Sequence, residues 1–161
     1  MFLRDRVRLV SAVRRWLLRH EMLVRYGAPD ILGADLAERW GSSVVQETEV
    51  LLARFRDLCR ARGTRLVVLL IPLKEQVYED AWQQALVYNG EELPADQVDR
   101  DAPERIVRKA AATAGIELVG VLAQLRSYRQ DETLYFAVDP HLTAAGHRVV
   151  AQALYEHLSS P

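Results

Sequence analysis

Two kinds of apolar pattern alternate along the middle of the chain. Val44, Thr48, Leu51, Leu52, Phe55, Leu58 and Cys59 recur at helical spacing up to Gly63, which predicts an amphipathic helix. Ser43 and Gln46 stand where a capping box would open it. "RLVVLLIP", residues 65–72, then runs apolar without interruption and ends at proline. A run this short and this rich in β-branched residues predicts a strand covered on both faces, as in parallel sheets. The same order returns further on. Residues 74–88 predict a helix and "NGEELPADQ" a polar loop; Asp101 and Glu104 then predict the cap of a helix carrying Ile106, Val107, Ala110 and Ala111. Gly115 stops that helix, and "IELVGV" at 116–121 predicts a second strand.

"LYFAV", residues 134–138, fits either a short third strand or an extended approach to the last helix. That helix is predicted to start with Thr143 as N-cap and to bury Val149, Val150, Ala153, Leu154 and Leu158. Helices placed between parallel strands imply a three-layer α/β/α sandwich. Only two or three strands are visible, whereas a complete doubly wound sheet has about five or six. The strand at 65–71 therefore reads as an interior strand whose neighbours come from a partner copy or from a part of the domain outside this chain.

The first 40 residues differ in character. Residues 3–26 place Leu9, Val10, Val13, Trp16, Leu17 and Leu18 at helical spacing among seven arginines, a basic amphipathic helix. Such a helix can lie on a membrane surface or a partner, but a packing helix with a solvated arginine face is the plainer reading. "YGAPDILG" then breaks the pattern into a loop. The chain thus divides into an extension at 1–40 and an α/β portion at 41–161.

Composition removes several function classes. A formal net charge of −1 offers no overall attraction to nucleic acid or to an anionic membrane. The single cysteine, Cys59, can form no internal disulfide, and its place on an apolar stripe suggests a packed thiol. No apolar run reaches the length that spans a bilayer, and arginines interrupt every stretch that could serve as a signal peptide. Read alone, the chain is expected to be soluble, and no pattern in it calls for a cofactor.

The candidate chemistry lies in "VDPHLT". Asp139 and His141, two apart just before a helix, form the combination in which a carboxylate orients a histidine base. An imidazole with an ordinary pKa of about 6.5 can accept a hydroxyl proton at neutral pH. The same two residues could simply begin a helix. Asp-x-His also opens dinuclear metal sites, but these need further ligands on later loops. Here only His147 and His157 follow, both on the last helix, so no metal site is expected. Lys74 falls just past the carboxyl end of the first strand, where open α/β sheets bind ligands, and is a candidate contact for a substrate acid group.

The nucleophile is missing. Ser42 and Ser43 follow a polar stretch rather than a strand, whereas a nucleophile elbow needs a strand before it. Ser11 lies in the basic helix, Ser127 in a polar turn, and Ser159 and Ser160 in the tail; Asn89 sits in a turn signature and suggests no oxyanion role.

"LYFAVDPHLTAAGHRVVAQALYEHL", residues 134–158, resembles the terminal Asp/His block of the SGNH/GDSL hydrolase superfamily, including the glycine five residues after the histidine, Gly146. "RLVVLLIPLKEQVY" is similar to an interior strand and its following loop in bacterial branches, and the resemblance extends over about residues 43–158. It implies a three-layer sandwich and Ser-His-Asp chemistry on O-acyl esters, carbohydrate acetyl groups among them. His141 would be the base and Asp139 its orienting carboxylate. Two features depart from the general pattern. The Gly-Asp-Ser block is absent, and the spacing is Asp-x-His instead of Asp-x-x-His. Alginate-acetyltransferase-like branches share that shorter spacing, with the pair preceding the serine in the chain. The expectation is therefore the rear portion of an SGNH-type hydrolase whose serine lies outside these residues, encoded upstream by the general superfamily order. The alternative is a binding module that kept the sandwich and lost its nucleophile.

Overall fold

The computed structural model describes residues 41–89 and 98–159. The basic segment 3–26, the loop after it, Ser11, Ser160 and nearly all of the polar loop predicted at 89–97 lie outside these residues. Eight elements are described: α1 (Gly41–Arg60), β1 (Val67–Leu70), α2 (Lys74–Val77), α3 (Glu79–Asn89), α4 (Ala102–Thr113), β2 (Glu117–Gly120), α5 (Leu122–Ser127) and α6 (Ala144–Ser159).

β1 and β2 pair in parallel, Val67 opposite Glu117 and Leu70 opposite Gly120. Because side chains alternate along a strand, the pair faces two separate cores. Val67, Leu69 and Val119 join Val121, Leu125, Leu134, Tyr135, Leu142, Val150 and Ala153, the side covered by α5 and α6. Val68 and Leu118 join Leu52, Ala53, Ala111, Ala114 and Ile116, the side covered by α1 and α4. Helices on both faces of a parallel sheet make the three-layer α/β/α arrangement that the alternation of patterns predicts. Each α-to-β junction turns at a glycine with positive φ, Gly63 at 65° before β1 and Gly115 at 63° before β2. Any other residue at either position would be strained in this left-handed backbone, which glycine adopts freely.

The structure modifies several expectations. β1 is half-buried along its length, and Ile71 beyond it is 46% exposed, because among the described residues β2 is its one strand neighbour. On α1, Leu52 and Ala53 turn toward the sheet while Leu51, Phe55 and Leu58 are exposed, and Cys59 is half-buried rather than enclosed. α1 already runs at Gly41, so Ser43 lies within the helix instead of opening it. Asp101 does take the N-cap position of α4, but its side chain makes no capping bond; its carboxylate pairs with Arg126 at 2.7 Å. Leu158 is 48% exposed, although Val150 and Ala153 of the same helix are buried as expected.

The helix predicted at 74–88 is broken at Tyr78, which is extended at φ −109° and ψ 129°. Its hydroxyl accepts the Leu134 N–H at 2.9 Å and its ring meets that of Tyr135 edge-on at 6.1 Å. The break thus trades one helical turn for a contact that anchors the segment entering 134–142. Gln76, 4% exposed, braces the same turn: its Oε1 accepts the Leu73 N–H at 2.9 Å and its Nε2 donates to the Arg100 carbonyl at 2.8 Å. A buried amide side chain is tolerated because both its ends are bonded.

Candidate active site

"LYFAV" forms no third strand. It makes one antiparallel bridge, Tyr135 to Leu142, and the Phe136 N–H donates to the His141 carbonyl at 3.1 Å. The segment is therefore a narrow loop that leaves at Tyr135 and returns at Leu142. Both roots are buried, Tyr135 at 3% and Leu142 at 7% exposure, while residues 136–141 are exposed. Below the roots, the Thr143 N–H donates to the Leu134 carbonyl at 2.9 Å. The Thr143 hydroxyl donates to the Thr133 carbonyl at 2.6 Å and accepts the Gly146 N–H, so Thr143 is the N-cap of α6.

Asp139 and His141 stand on this loop and bond each other twice. The Asp139 Oδ1 accepts the His141 backbone N–H at 2.8 Å and also meets the imidazole Nδ1. The His141 backbone N–H, and after it the ring, hold the Asp139 carboxyl below the ordinary aspartate range. The carboxylate thus stays ionised while it faces Nδ1, the arrangement that favours a proton on Nδ1 and a free lone pair on Nε2. The His141 side chain is 79% exposed and that of Asp139 55%, so the ring is open to a reacting group.

The loop sits at the carboxyl end of β1. The Tyr135 hydroxyl donates to the Pro72 carbonyl at 2.7 Å, and burial raises this phenol's pKa, keeping the donor protonated. Lys74 opens α2 just past β1, the place its sequence position predicts, but its ammonium is turned onto the loop backbone. Nζ donates to the Phe136 carbonyl at 3.1 Å and the Ala137 carbonyl at 2.7 Å. A cleft of about 600 Å³ runs beside the loop, with Lys74, Tyr78, Tyr135 and Ala137 in its walls and His141 outside them.

A second histidine–carboxylate pair is absent from the reading of the sequence. His157, near the end of α6, bonds Glu117, the first residue of β2, and Arg65 grips the same carboxylate with Nε at 2.8 Å and with Nη2. This cluster stands at the amino end of the strands, opposite to the Asp139 loop. Its carboxylate is committed to a guanidinium, so it serves as a tie between α6 and the sheet. Arg65, with His157 second, pushes the Glu117 pKa down to about 2 from the ordinary 4.5 or so. A lowered folded-state pKa contributes stability above the unfolded value that disappears as pH falls through the folded one. Glu117→Gln is expected to melt below the parent at pH 7, with the gap closing between about pH 4.5 and pH 2; melting curves across that range check it.

Ser127 ends α5 and donates to the Gln124 carbonyl at 3.0 Å, a local bond that gives it no part in the Asp139 loop. Asn89 is the last residue of α3. Among the described residues no group of three or more His, Cys, Asp or Glu side chains could hold a metal ion, and no helix is long and apolar enough to cross a membrane.

The three-layer α/β/α arrangement, with an Asp-x-His pair exposed on a loop past the end of a parallel strand, is of the SGNH-like kind that the sequence resembles. The chain belongs to the SGNH hydrolase-like domain family of the acetyltransferase AlgX, whose sequence profile matches residues 13–161. It is similar to the probable alginate O-acetylase AlgJ of Pseudomonas putida, with 28% identity over 116 residues, 72% of this chain. The chain spans about 28% of that relative's length. No solved structure matches it.

Proposed function

We propose that this chain supplies the base half of an acyl-transfer site, with His141 as general base, Asp139 as its orienting carboxylate, and a nucleophilic serine outside residues 1–161. One observation carries the reading: the Asp139 carboxylate is bonded by both the backbone and the ring of His141 on an open loop. Among the described residues Nε2 has no hydrogen-bond partner, so it is free to take a hydroxyl proton.

The chemistry follows from that proton. Nε2 accepts it from the serine Oγ as the oxygen bonds the acyl carbon and the carbonyl electrons move onto oxygen. Collapse of the tetrahedral species breaks the ester C–O bond, and the imidazolium returns its proton to the leaving alkoxide. The base then acts again on the hydroxyl, of water or of an acceptor alcohol, that takes the acyl group from the serine. Asp139 stabilises the imidazolium in both steps.

The likeness to AlgJ supports acetyl as the acyl group and a polysaccharide hydroxyl as its partner. It also bears on the serine. In alginate-acetyltransferase-like branches the Asp-x-His pair precedes the nucleophile, which favours a position beyond residue 161 over the upstream one of the general superfamily order. Reading the DNA on both sides and expressing the whole gene product tests this. The expected result is a strand ending in an exposed serine, encoded after codon 161, and a product that cleaves 4-nitrophenyl acetate. A folded product with no such serine on either side and no turnover would establish the binding-module alternative.

A further inference from the structure

We propose that Lys74 is a positioning residue for the Asp139–His141 pair, its ammonium setting where the loop tip stands against the end of β1. The proposal rests on the reading of His141 as the base, and it replaces the expectation that Lys74 contacts substrate.

Three observations carry it. First, the tip lacks packing. Residues 136–141 are exposed, and Val138 is 99% exposed, so apolar contacts do not fix the part of the loop that bears the pair. Second, among the described residues the hydrogen bonds reaching 136–141 from beyond the loop and its roots come from Lys74 alone, at 3.1 and 2.7 Å. Third, those bonds go to adjacent carbonyls, Phe136 and Ala137. In an extended strand neighbouring carbonyls point to opposite sides. Their convergence on one cation therefore marks the point where the chain leaves the Tyr135–Leu142 bridge and bends toward Asp139, two residues on.

The anchor is itself well held. Lys74 opens α2, whose Gln76 is buried and bonded at both ends, and the neighbouring Pro72 carbonyl accepts the Tyr135 hydroxyl. The β1–α2 turn thus grips the loop at Tyr135, Phe136 and Ala137 in succession. An ammonium can donate three hydrogen bonds, so two directed at backbone leave little capacity for a substrate carboxylate.

The test uses residues 1–161 as wild type, Lys74→Met and Lys74→Arg, with amide hydrogen exchange read by NMR. Exchange of the Phe136 and His141 amides is expected to accelerate about tenfold in Lys74→Met while the Leu125 and Ala153 amides hold their rates, as for a local opening. Lys74→Arg, which keeps a cationic donor, is expected to restore most of the protection. Equal exchange of Phe136 and His141 in all three proteins would overturn the proposal. The whole gene product gives the second readout. Misplacing a base by about 1 Å can cost about 10²-fold in rate, so Lys74→Met should lower kcat by up to about that factor with KM unchanged. A raised KM with unchanged kcat would instead mark a substrate contact and refute positioning. Should His141→Ala retain full turnover while the exchange result holds, the base assignment fails and the clamp on the loop stands.

Discussion

Replacing His141 by alanine is expected to lower acyl-ester turnover of the whole gene product by about 10²–10⁴-fold, the range that a positioned general base contributes. The fold should survive. The side chain is 79% exposed and outside the hydrophobic clusters, so its removal opens no cavity. Its backbone N–H and carbonyl, which bond Asp139 and Phe136, are untouched by the substitution. Asp139→Asn gives a complementary result. An amide cannot stabilise the imidazolium and can present a donor to Nδ1, favouring the wrong tautomer. Turnover should again fall, with binding of the ester little changed. Steady-state kinetics on an acetyl ester, with circular dichroism to verify folding, distinguish loss of chemistry from loss of structure.

The second large effect is structural and concerns Gly146. A Cβ at this position would stand 2.2 Å from the Leu134 carbonyl oxygen and 2.7 Å from a Leu142 methyl carbon. The first neighbour is backbone and cannot rotate away. The first turn of α6 lies so close against the segment entering the loop that only a hydrogen fits between them. This is the physical reason for a glycine five residues after the histidine. Gly146→Ala must push α6 off Leu134 or distort the Thr143 cap, whose hydroxyl bonds both Thr133 and Gly146. Overpacking of this kind costs about 1–3 kcal/mol and occasionally more. For a chain of this size each kcal/mol lowers Tm by about 2–4 °C. Because the displaced backbone carries the loop roots, turnover should drop along with stability, and thermal denaturation beside kinetics measures both.

The sequence reveals most clearly those features set by local pattern. Gly63 and Gly115 stop their helices, and the apolar runs after them become β1 and β2, because helix ends and short buried strands have signals in adjacent residues. The Asp139–His141 contact is legible for the same reason: two residues apart, the pair needs only a tight loop to meet. Tyr78 breaks a helix that local propensity favours, since its hydroxyl finds Leu134 across 56 positions. No window of neighbouring residues contains that partner. The Arg65–Glu117–His157 tie is hidden likewise, joining the start of each strand to the last turns of α6. Lys74 is an intermediate case. Its position at the strand end follows from the sequence, but the direction of its ammonium depends on carbonyls 62 and 63 residues away. The stripe on α1 misleads in the opposite sense. Leu51, Phe55 and Leu58 have core spacing, yet the sheet they would help to cover has two strands among the described residues.

If His141 is the base, Asp139 must fix its ring with the proton on Nδ1 and Nε2 bare. Long-range ¹H–¹⁵N correlation spectra of the imidazole, recorded above the pH at which the ring loses its charge, read the tautomer directly. A protonated Nδ1 and an unprotonated Nε2 are expected in the wild type, with that preference lost in Asp139→Asn. A ring that carries its proton mainly on Nε2, or one whose tautomer ignores the Asp139 substitution, would contradict it.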